Sequence, residues 1–272
     1  MKSLFTLLTL HAGCLLAADI PAHPLASKGE SIFSDDFNRA ELGGNWRIGT
    51  PTFSITDGVL HGGQTGPGHS AVGFVKVGRK DVIVEFKMRF DRAKSINAVF
   101  NDKDYKEGHA GHICRVSFLP GRIFLADDKE RLRHDIEELR KDPKRKAEAD
   151  KLVEGRTLGF PNKLDPTKWY RVRIELLGDE LRVSLDDRPV AHLKSSGIAH
   201  AMGLGRSAGL QSAVEDRDDA RREAGGGGDE VHQCACGKRP FVCRAGTACS
   251  GADAVSELEH DCGKWREESA AA

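Results

Sequence analysis

The sequence predicts an all-β protein, an antiparallel jelly-roll β-sandwich that carries a charged helical insertion. The strongest sign is the stretch from Lys168 to Leu193, where apolar and polar residues alternate through three runs. Tight turns at Gly178-Asp179 and at Asp186 to Pro189 separate these runs, as in a three-stranded meander. Similar alternating runs recur upstream, which gives roughly ten short strands, the number typical of a sandwich.

The N-terminus predicts export. Residues 1–18 read as a signal peptide, with a basic start at Lys2, an apolar run from Leu4 to Leu16 and small residues before Asp19. The apolar run is too short for a transmembrane helix. We therefore expect a secreted or periplasmic chain that has no membrane attachment once the signal is removed. Lipidation at Cys14 is the disfavoured alternative, since His11 stands where an aliphatic residue is expected.

Composition narrows the choice of partners. The 272 residues include 41 Lys and Arg and 41 Asp and Glu, so the formal net charge is zero. This balance gives no electrostatic reason to expect nucleic acid or an anionic membrane as a partner. Residues 19–31 form a polar leader, and residues 32–197 are predicted as the sandwich domain.

Within that domain, two turn signals predict hairpins. Asp57-Gly58 separates two short apolar runs, and Pro120-Gly121-Arg122 separates two longer ones. The predicted strands before the meander are 32–38, 53–56, 59–61, 71–77, 82–90, 95–100, 113–119 and 123–126.

Residues 127–155 break the β pattern. They are dense in charged residues, and Leu132, Ile136 and Leu139 follow one another at helical spacing. We interpret this segment as a helical insertion that lies on the surface and packs one thin apolar stripe. A functional lid is the alternative interpretation.

The tail, residues 198–272, has a different character. No apolar alternation follows Ser195, and Gly225 to Gly228 is a glycine tract, so the tail is predicted to be disordered. No stretch in it is predicted to form the strand that normally pairs beside the first strand of such a sandwich. We therefore hypothesise that the tail is aberrant or out-of-frame sequence. The spacing of its five cysteines does not match a paired zinc motif, so no metal site is predicted there.

The body resembles the secreted bacterial 3-keto-disaccharide hydrolase domain family, which has a concanavalin A-like sandwich fold. The resemblance spans roughly Phe33 to Leu193. It is carried by the motifs Phe33 to Phe37 with Trp46, Phe53 to Leu60, Asp81 to Phe90, and Lys168 to Val190. It implies an activity on oxidised glycosides, although such sandwiches also serve as binding modules.

The best candidate site is a polar cluster between two predicted strands. The cluster runs from Asn101 to Arg115, and His and Asp are the residue types that act as bases or metal ligands. Within it, Asp102, His109, His112 and Arg115 are singled out. They are predicted as catalytic residues. The alternative is a solvated loop whose histidines cap turns.

A second candidate set is predicted to bind substrate. Glu85, Lys87 and Arg89 share one face of their strand and could contact sugar hydroxyls. The E-x-D-x-x-E triplet of laminarinase-type sandwiches does not occur on this or any other predicted strand. Ordinary retaining hydrolysis by two carboxylates is therefore not predicted.

Cleavage of a 3-keto sugar does not require a pair of catalytic carboxylates. A base that removes the proton beside the ketone, helped by a cation or a divalent metal ion, suffices for elimination. The sequence does not identify a cofactor, and a divalent metal ion is one candidate. Three functions remain: a 3-keto-glycoside hydrolase, a non-catalytic glycan-binding sandwich, and a cell-surface protein-interaction domain.

Overall fold

The computed structural model of the chain describes residues 20–50, 53–64, 71–200, 206–213, 232–236 and 241–248. Sixteen strands lie in these ranges and form two antiparallel sheets. The predicted signal peptide lies outside the described residues.

Sheet A contains nine strands. Its main path runs β13-β12-β11-β6-β15-β4-β3, and β16 joins β1 to β6. The strands are β1 (Ala26–Asp35), β3 (Phe53–Thr56), β4 (Val59–Gln64), β6 (Val82–Arg89), β11 (Tyr170–Leu177), β12 (Glu180–Leu185), β13 (Arg188–Lys194), β15 (His232–Cys236) and β16 (Phe241–Ala248).

Sheet B contains seven strands in the order β10-β9-β8-β7-β14-β5-β2. They are β2 (Trp46–Thr50), β5 (Ala71–Lys76), β7 (Ser95–Asp102), β8 (His112–Leu119), β9 (Arg122–Asp127), β10 (Thr157–Pro161) and β14 (Arg206–Ala213).

The predicted hairpins and the meander are present. Asp57 and Gly58 both have positive φ values, 53° and 69°, as a tight turn between β3 and β4 requires. Asp186 and Asp187 adopt the same conformation, with φ values of 49° and 66°, and connect β12 to β13. The third turn, at Gly178, has a φ of 58° and connects β11 to β12.

The core lies between the two sheets because alternate residues of each strand point inward. On β6, Val84, Phe86 and Met88 belong to the core, so Glu85, Lys87 and Arg89 lie on the outer face. On β7, the core residues are Ile96, Ala98 and Phe100. Asn97, Val99 and Asn101 therefore belong to the outer face of sheet B.

The closing strand exists. β16 pairs with β1 from Ala26↔Ala248 to Asp35↔Phe241 and also pairs with β6. The prediction that no stretch after Ser195 takes this position is therefore wrong. β14 is also drawn from the predicted tail, and it lies between β5 and β7 in the middle of sheet B. β15 also comes from the predicted tail and pairs with β4 and β6 in sheet A. The other tail residues after His200, to which the predicted disorder applies, are 201–205, 214–231, 237–240 and 249–272, and they lie outside the described residues.

The predicted helical insertion is confirmed as three short helices, α1 (Asp128–Arg131), α2 (His134–Lys141) and α3 (Lys146–Leu152). The Asp127 carboxylate caps α1 by accepting a hydrogen bond from the Glu130 main-chain N–H at 3.1 Å. Of the predicted apolar stripe, Ile136 is fully buried. Helix α1 contacts β8 and β9, so the insertion covers part of the outer face of sheet B.

No helix among the described residues is long and apolar enough to cross a membrane.

A buried ionic network joins the predicted leader to sheet A. Glu175 on β11 is fully buried, and its two carboxylate oxygens lie 2.5 Å from Arg182 Nη1 and 3.1 Å from Arg173 Nη2. Arg182 also donates hydrogen bonds to the main-chain carbonyls of Pro21 and Ala22, at 3.0 and 3.4 Å. The leader residues therefore satisfy charged groups that the sheet alone leaves without a full set of partners.

Replacement of Glu175 by Gln should destabilise the fold strongly. The change keeps the shape of the side chain but leaves the buried Arg182 guanidinium without its carboxylate, which typically costs about 3–5 kcal/mol. We expect urea denaturation to show this loss in the free energy of unfolding. Glu138→Gln is the matched control, because Glu138 pairs with Lys141 on an exposed surface of α2. Equal unfolding midpoints for the two variants would contradict the assigned role of Glu175.

Candidate functional site

The outer face of sheet B carries a hydrogen-bonded pair at the junction of β7 and β8. His112 is the first residue of β8 and lies opposite Asn101 in the antiparallel ladder. Its Nδ1 lies 2.5 Å from Asn101 Oδ1. Since an amide oxygen only accepts, Nδ1 carries the proton and Nε2 holds a free lone pair. Nε2 has no hydrogen-bond partner among the described residues.

The environment of His112 keeps its ring neutral. Burial lowers the pKa of His112 to about 4. The charges of Arg115, His109 and Arg131 contribute to this lowering, and the carboxylate of Asp128 partly opposes it. The imidazole is thus an uncharged acceptor at neutral pH.

Arg115 is held in a fixed position beside His112. Its Nε and Nη2 donate to Asp128 Oδ2 at 2.8 and 2.7 Å, while Arg131 binds the other oxygen at 2.7 Å. Asp128 is fully buried at the start of α1. The insertion therefore supplies the carboxylate that orients Arg115, and the Arg115 side chain stays 23% exposed.

A strained turn delivers His109 to the same region. The 3₁₀ helix His109–Gly111 ends just before His112, and the His109 and His112 rings lie 5.6 Å apart between centroids. Ala110 has a φ of 50° and Gly111 a φ of 69°. A side chain at Gly111 would collide with the carbonyl oxygen of Asp102, so this position requires glycine.

The structure does not place Asp102 with the other three predicted catalytic residues. Asp102 follows the inward alternation of β7 and is 2% exposed. Its carboxylate accepts a hydrogen bond from the Asp104 main-chain N–H at 2.9 Å and lies 3.0 Å from His200 Nε2. The ring of Tyr105 packs edge-on against His200, with 5.5 Å between centroids. The catalytic role of Asp102 stays a prediction.

Asn101 begins the polar cluster that the sequence predicts, whereas Asp128 and His200 were not predicted as site residues. Asn101 and Asp128 adjoin predicted elements, and strand alternation could have placed Asn101 on the outer face. Nothing in the sequence links His200 to Asp102, because 98 residues separate them. Only the fold brings this pair together.

The predicted substrate-binding residues lie on the other sheet. Glu85 pairs with Lys28 and Arg173, at 3.4 and 3.3 Å. Arg89 Nε lies 2.5 Å from Asp91 Oδ1, and its guanidinium lies over the Trp169 ring at 4.8 Å. These residues and Lys87 face away from sheet B, so they do not form one site with His112. Their role in binding substrate stays a prediction.

An open pocket of about 420 Å³ lies between the 103–111 loop and the helical insertion. Main-chain hydrogen bonds join its two walls, from His109 N–H to the Leu132 carbonyl and from His134 N–H to the Glu107 carbonyl, each at 3.0 Å. The lining residues are Lys103, Tyr105, Lys106, Gly108, Ala110, Gly111 and His134.

Metal ligands do not cluster in the part of the chain that the structure describes. No group of three or more His, Cys, Asp or Glu side chains there has a geometry that could hold a metal ion. Arginine and histidine side chains are the groups that the site offers to a substrate.

Solved structures share this fold. A laminarinase from Rhodothermus marinus is similar with a TM-score of 0.51 and 11% identity, over 82% of this chain and 100% of the other. SCLam, a non-specific endo-β-1,3(4)-glucanase from family GH16, gives 0.52 and 8%, over 83% and 96%. An endo-β-galactosidase from Clostridium perfringens that releases GlcNAcα1-4Gal gives 0.53 and 11%, over 85% and 67%.

No protein-family model matches the sequence, and no curated protein matches it. At these identities, the structural similarity shows the fold alone. The chain therefore has the concanavalin A-like jelly-roll sandwich that glycoside hydrolases of the laminarinase and glucanase type also have.

The low pKa of His112 predicts a pH-dependent contribution to stability. A histidine titrates near 6.5 in the unfolded chain and His112 at about 4 in the folded one, so the unfolded state binds the proton more readily between these values. The contribution is complete above pH 6.5 and is lost as pH falls towards 4. His112→Gln removes it.

We therefore expect the free energy of unfolding to fall by about 2 kcal/mol less in His112→Gln than in the wild type between pH 7 and pH 4.5. Denaturant titrations at both pH values measure the difference. The exposed His134→Gln serves as the control and should follow the wild type. Identical losses in the His112 variant and the wild type would show that the ring is not held neutral.

Proposed function

We propose that the chain is an exported carbohydrate-active protein that cleaves oxidised, 3-keto glycosides at the outer face of sheet B. Export is inferred from the N-terminal sequence, and a secreted or periplasmic location follows from it. The sugar substrate is inferred from the fold and from the resemblance to the 3-keto-disaccharide hydrolase family. The observation that carries the activity is the geometry of His112, whose Nδ1 is held by Asn101 while Nε2 is open.

The chemistry available at this face favours elimination over displacement. The outward positions of β7 and β8 are occupied by neutral and basic side chains, among them Asn97, Asn101, His112 and Arg115. Two opposed carboxylates, which glycoside displacement requires, are not found on these two strands. A ketone at C3 removes that requirement because it acidifies the proton on C2.

In the proposed reaction, His112 Nε2 takes the C2 proton and the electron pair moves towards the ketone oxygen. The glycosidic C1–O bond then breaks as the C1–C2 double bond forms, and the departing oxygen receives a proton. Addition of water across the double bond completes a net hydrolysis. Arg115, oriented by Asp128, supplies positive charge beside the developing enolate. We assign the protonation of the departing oxygen to the exposed His109, whose ring centroid lies 5.6 Å from that of His112.

The second candidate function is a non-catalytic glycan-binding module that uses the same face. It requires the same hydrogen-bonding groups but no proton transfer. The absence of opposed carboxylates on β7 and β8 is the observation that favours it. A domain for protein–protein contacts at the cell surface is the remaining alternative, and it predicts binding to neither class of sugar.

Activity should depend on His112. With a 3-keto-glucoside that releases nitrophenol, we expect His112→Gln to lower kcat/KM by roughly 10²- to 10⁴-fold, the usual contribution of a positioned base. His192→Gln is the matched control, because His192 lies on β13 of sheet A beside Glu180. Turnover that survives in His112→Gln would remove this residue from the reaction. Saturable glycan binding without any turnover by the wild type would favour the binding module.

The pH profile offers an independent check. Because the pKa of His112 is about 4, the base is deprotonated at neutral pH and becomes protonated only as the pH falls through about 4. The acid limb of kcat/KM should therefore have its midpoint near pH 4, in contrast to about 6.5 for an ordinary histidine. A midpoint near 6.5 would assign the base to another residue.

A further inference from the structure

The pocket between the 103–111 loop and the helical insertion has a one-sided charge. Three of its lining side chains carry or can carry a positive charge, those of Lys103, Lys106 and His134. Tyr105 and main-chain surfaces complete the lining, and no carboxylate contributes to it. Among the described residues, the charged side chains that line this pocket are therefore basic.

Two of these cations have a carboxylate within ion-pair distance, and the third, Lys106, has only the longer-range charge of Asp104. Asp104 lies 2.6 Å from Lys103 Nζ, and Glu137 lies 3.4 Å from His134 Nδ1. Lys106 is different, because its ammonium donates to the main-chain carbonyl of Lys103 at 2.5 Å and has no carboxylate partner among the described residues. The Lys106 ammonium is therefore bound by a neutral group and is not held in an ion pair, so it can pair with an anionic ligand.

The pocket is also preformed. Gly108 forms a β-bridge with Arg133, and the Tyr105 hydroxyl donates to the Lys129 carbonyl at 3.0 Å, so loop and insertion are joined at several points. A side chain at Gly108 would press against Tyr105 and the Leu132 carbonyl. A rigid pocket loses little entropy when a ligand enters it.

The pocket opens beside the proposed reaction site. Ala110 and Gly111 line it, and they lie between His109 and His112 in the chain. A sugar bound at His112 would therefore extend past Ala110 and Gly111 towards the pocket.

We propose that this pocket is a subsite for an anionic substituent, a carboxylate or a sulfate ester, on the glycan that the protein binds. The proposal rests on the proposed function, since it assigns the pocket to the same sugar chain. It adds that the natural substrate is an acidic glycan, for which Lys106, with Lys103 and His134, provides charge recognition. Salt should weaken this recognition because the contacts are near the surface.

The test compares ligands that differ only in charge. Trigalacturonate and its methyl ester have the same sugar rings, and titration calorimetry at low salt measures the affinity of the full-length protein for each. We expect the acid to bind roughly five- to tenfold more tightly, as two partly exposed charge contacts allow. A 6-sulfated galactose disaccharide and its unsulfated form distinguish sulfate from carboxylate recognition.

The variants Lys106→Gln and Lys103→Gln/Lys106→Gln should lose the preference for the acid and retain affinity for the ester. Lys106→Arg should keep the preference, and Lys163→Gln, an exposed lysine outside the pocket lining, should resemble the wild type. These lysines are exposed, so thermal unfolding should be unchanged in all variants. Equal affinity of the wild type for acid and ester, or a preference that survives in the double variant, would overturn the proposal.

The outcomes separate this proposal from the proposed function. Turnover of a neutral 3-keto-glycoside without any preference for acidic ligands would refute the anion subsite and leave the activity in place. A preference for acidic ligands without turnover would support the subsite on a binding module. Binding of neither ligand, together with no turnover, would refute both.

Discussion

The structure depends on the main-chain hydrogen bonds that β14 supplies in the middle of sheet B. This strand, Arg206–Ala213, pairs with β7 on one side and with β5 on the other. Without it, two interior strands would have unsatisfied main-chain N–H and C=O groups, each costing about 1–3 kcal/mol when buried. The same strand fixes the end of β7, because Ser207 lies opposite Asn101 and Arg206 lies opposite Asp102. At that end of β7, Asn101 lies opposite His112 of β8, and Asp102 lies 3.0 Å from His200 Nε2.

Two charge clusters show how burial separates a structural role from a functional one. Glu175 on sheet A accepts from Arg173 and Arg182, and the leader residues cover it, so its hydrogen-bonding capacity is used within the protein. His112 on sheet B is buried enough to lose its proton, yet Nε2 keeps an unused lone pair. A cluster that is fully satisfied stabilises the fold, whereas one with an open acceptor can act on a substrate.

Local patterns explain which parts of the fold the sequence predicts. The Lys168–Leu193 meander, the Asp57-Gly58 hairpin and the helical insertion are predicted because alternation, turn residues and helical spacing are properties of neighbouring residues. β14 was missed because its sequence, RSAGLQSA, is small and polar, and its strand conformation is imposed by β5 and β7. In the site, His112 and Arg115 were recognisable by residue type. The pairing of Asp102 with His200, like the assignment of Glu85 and His112 to different sheets, depends on tertiary contacts that a single sequence does not contain.

Hydrogen exchange of the main-chain amides in β14 measures whether this strand joins β5 to β7 inside sheet B. If β14 pairs with both neighbours, its amides, from residues 206 to 213, should exchange as slowly as those of β7 in the native protein. Exchange of the β14 amides at the rate of an unstructured peptide, while β7 and β8 remain protected, would contradict the account.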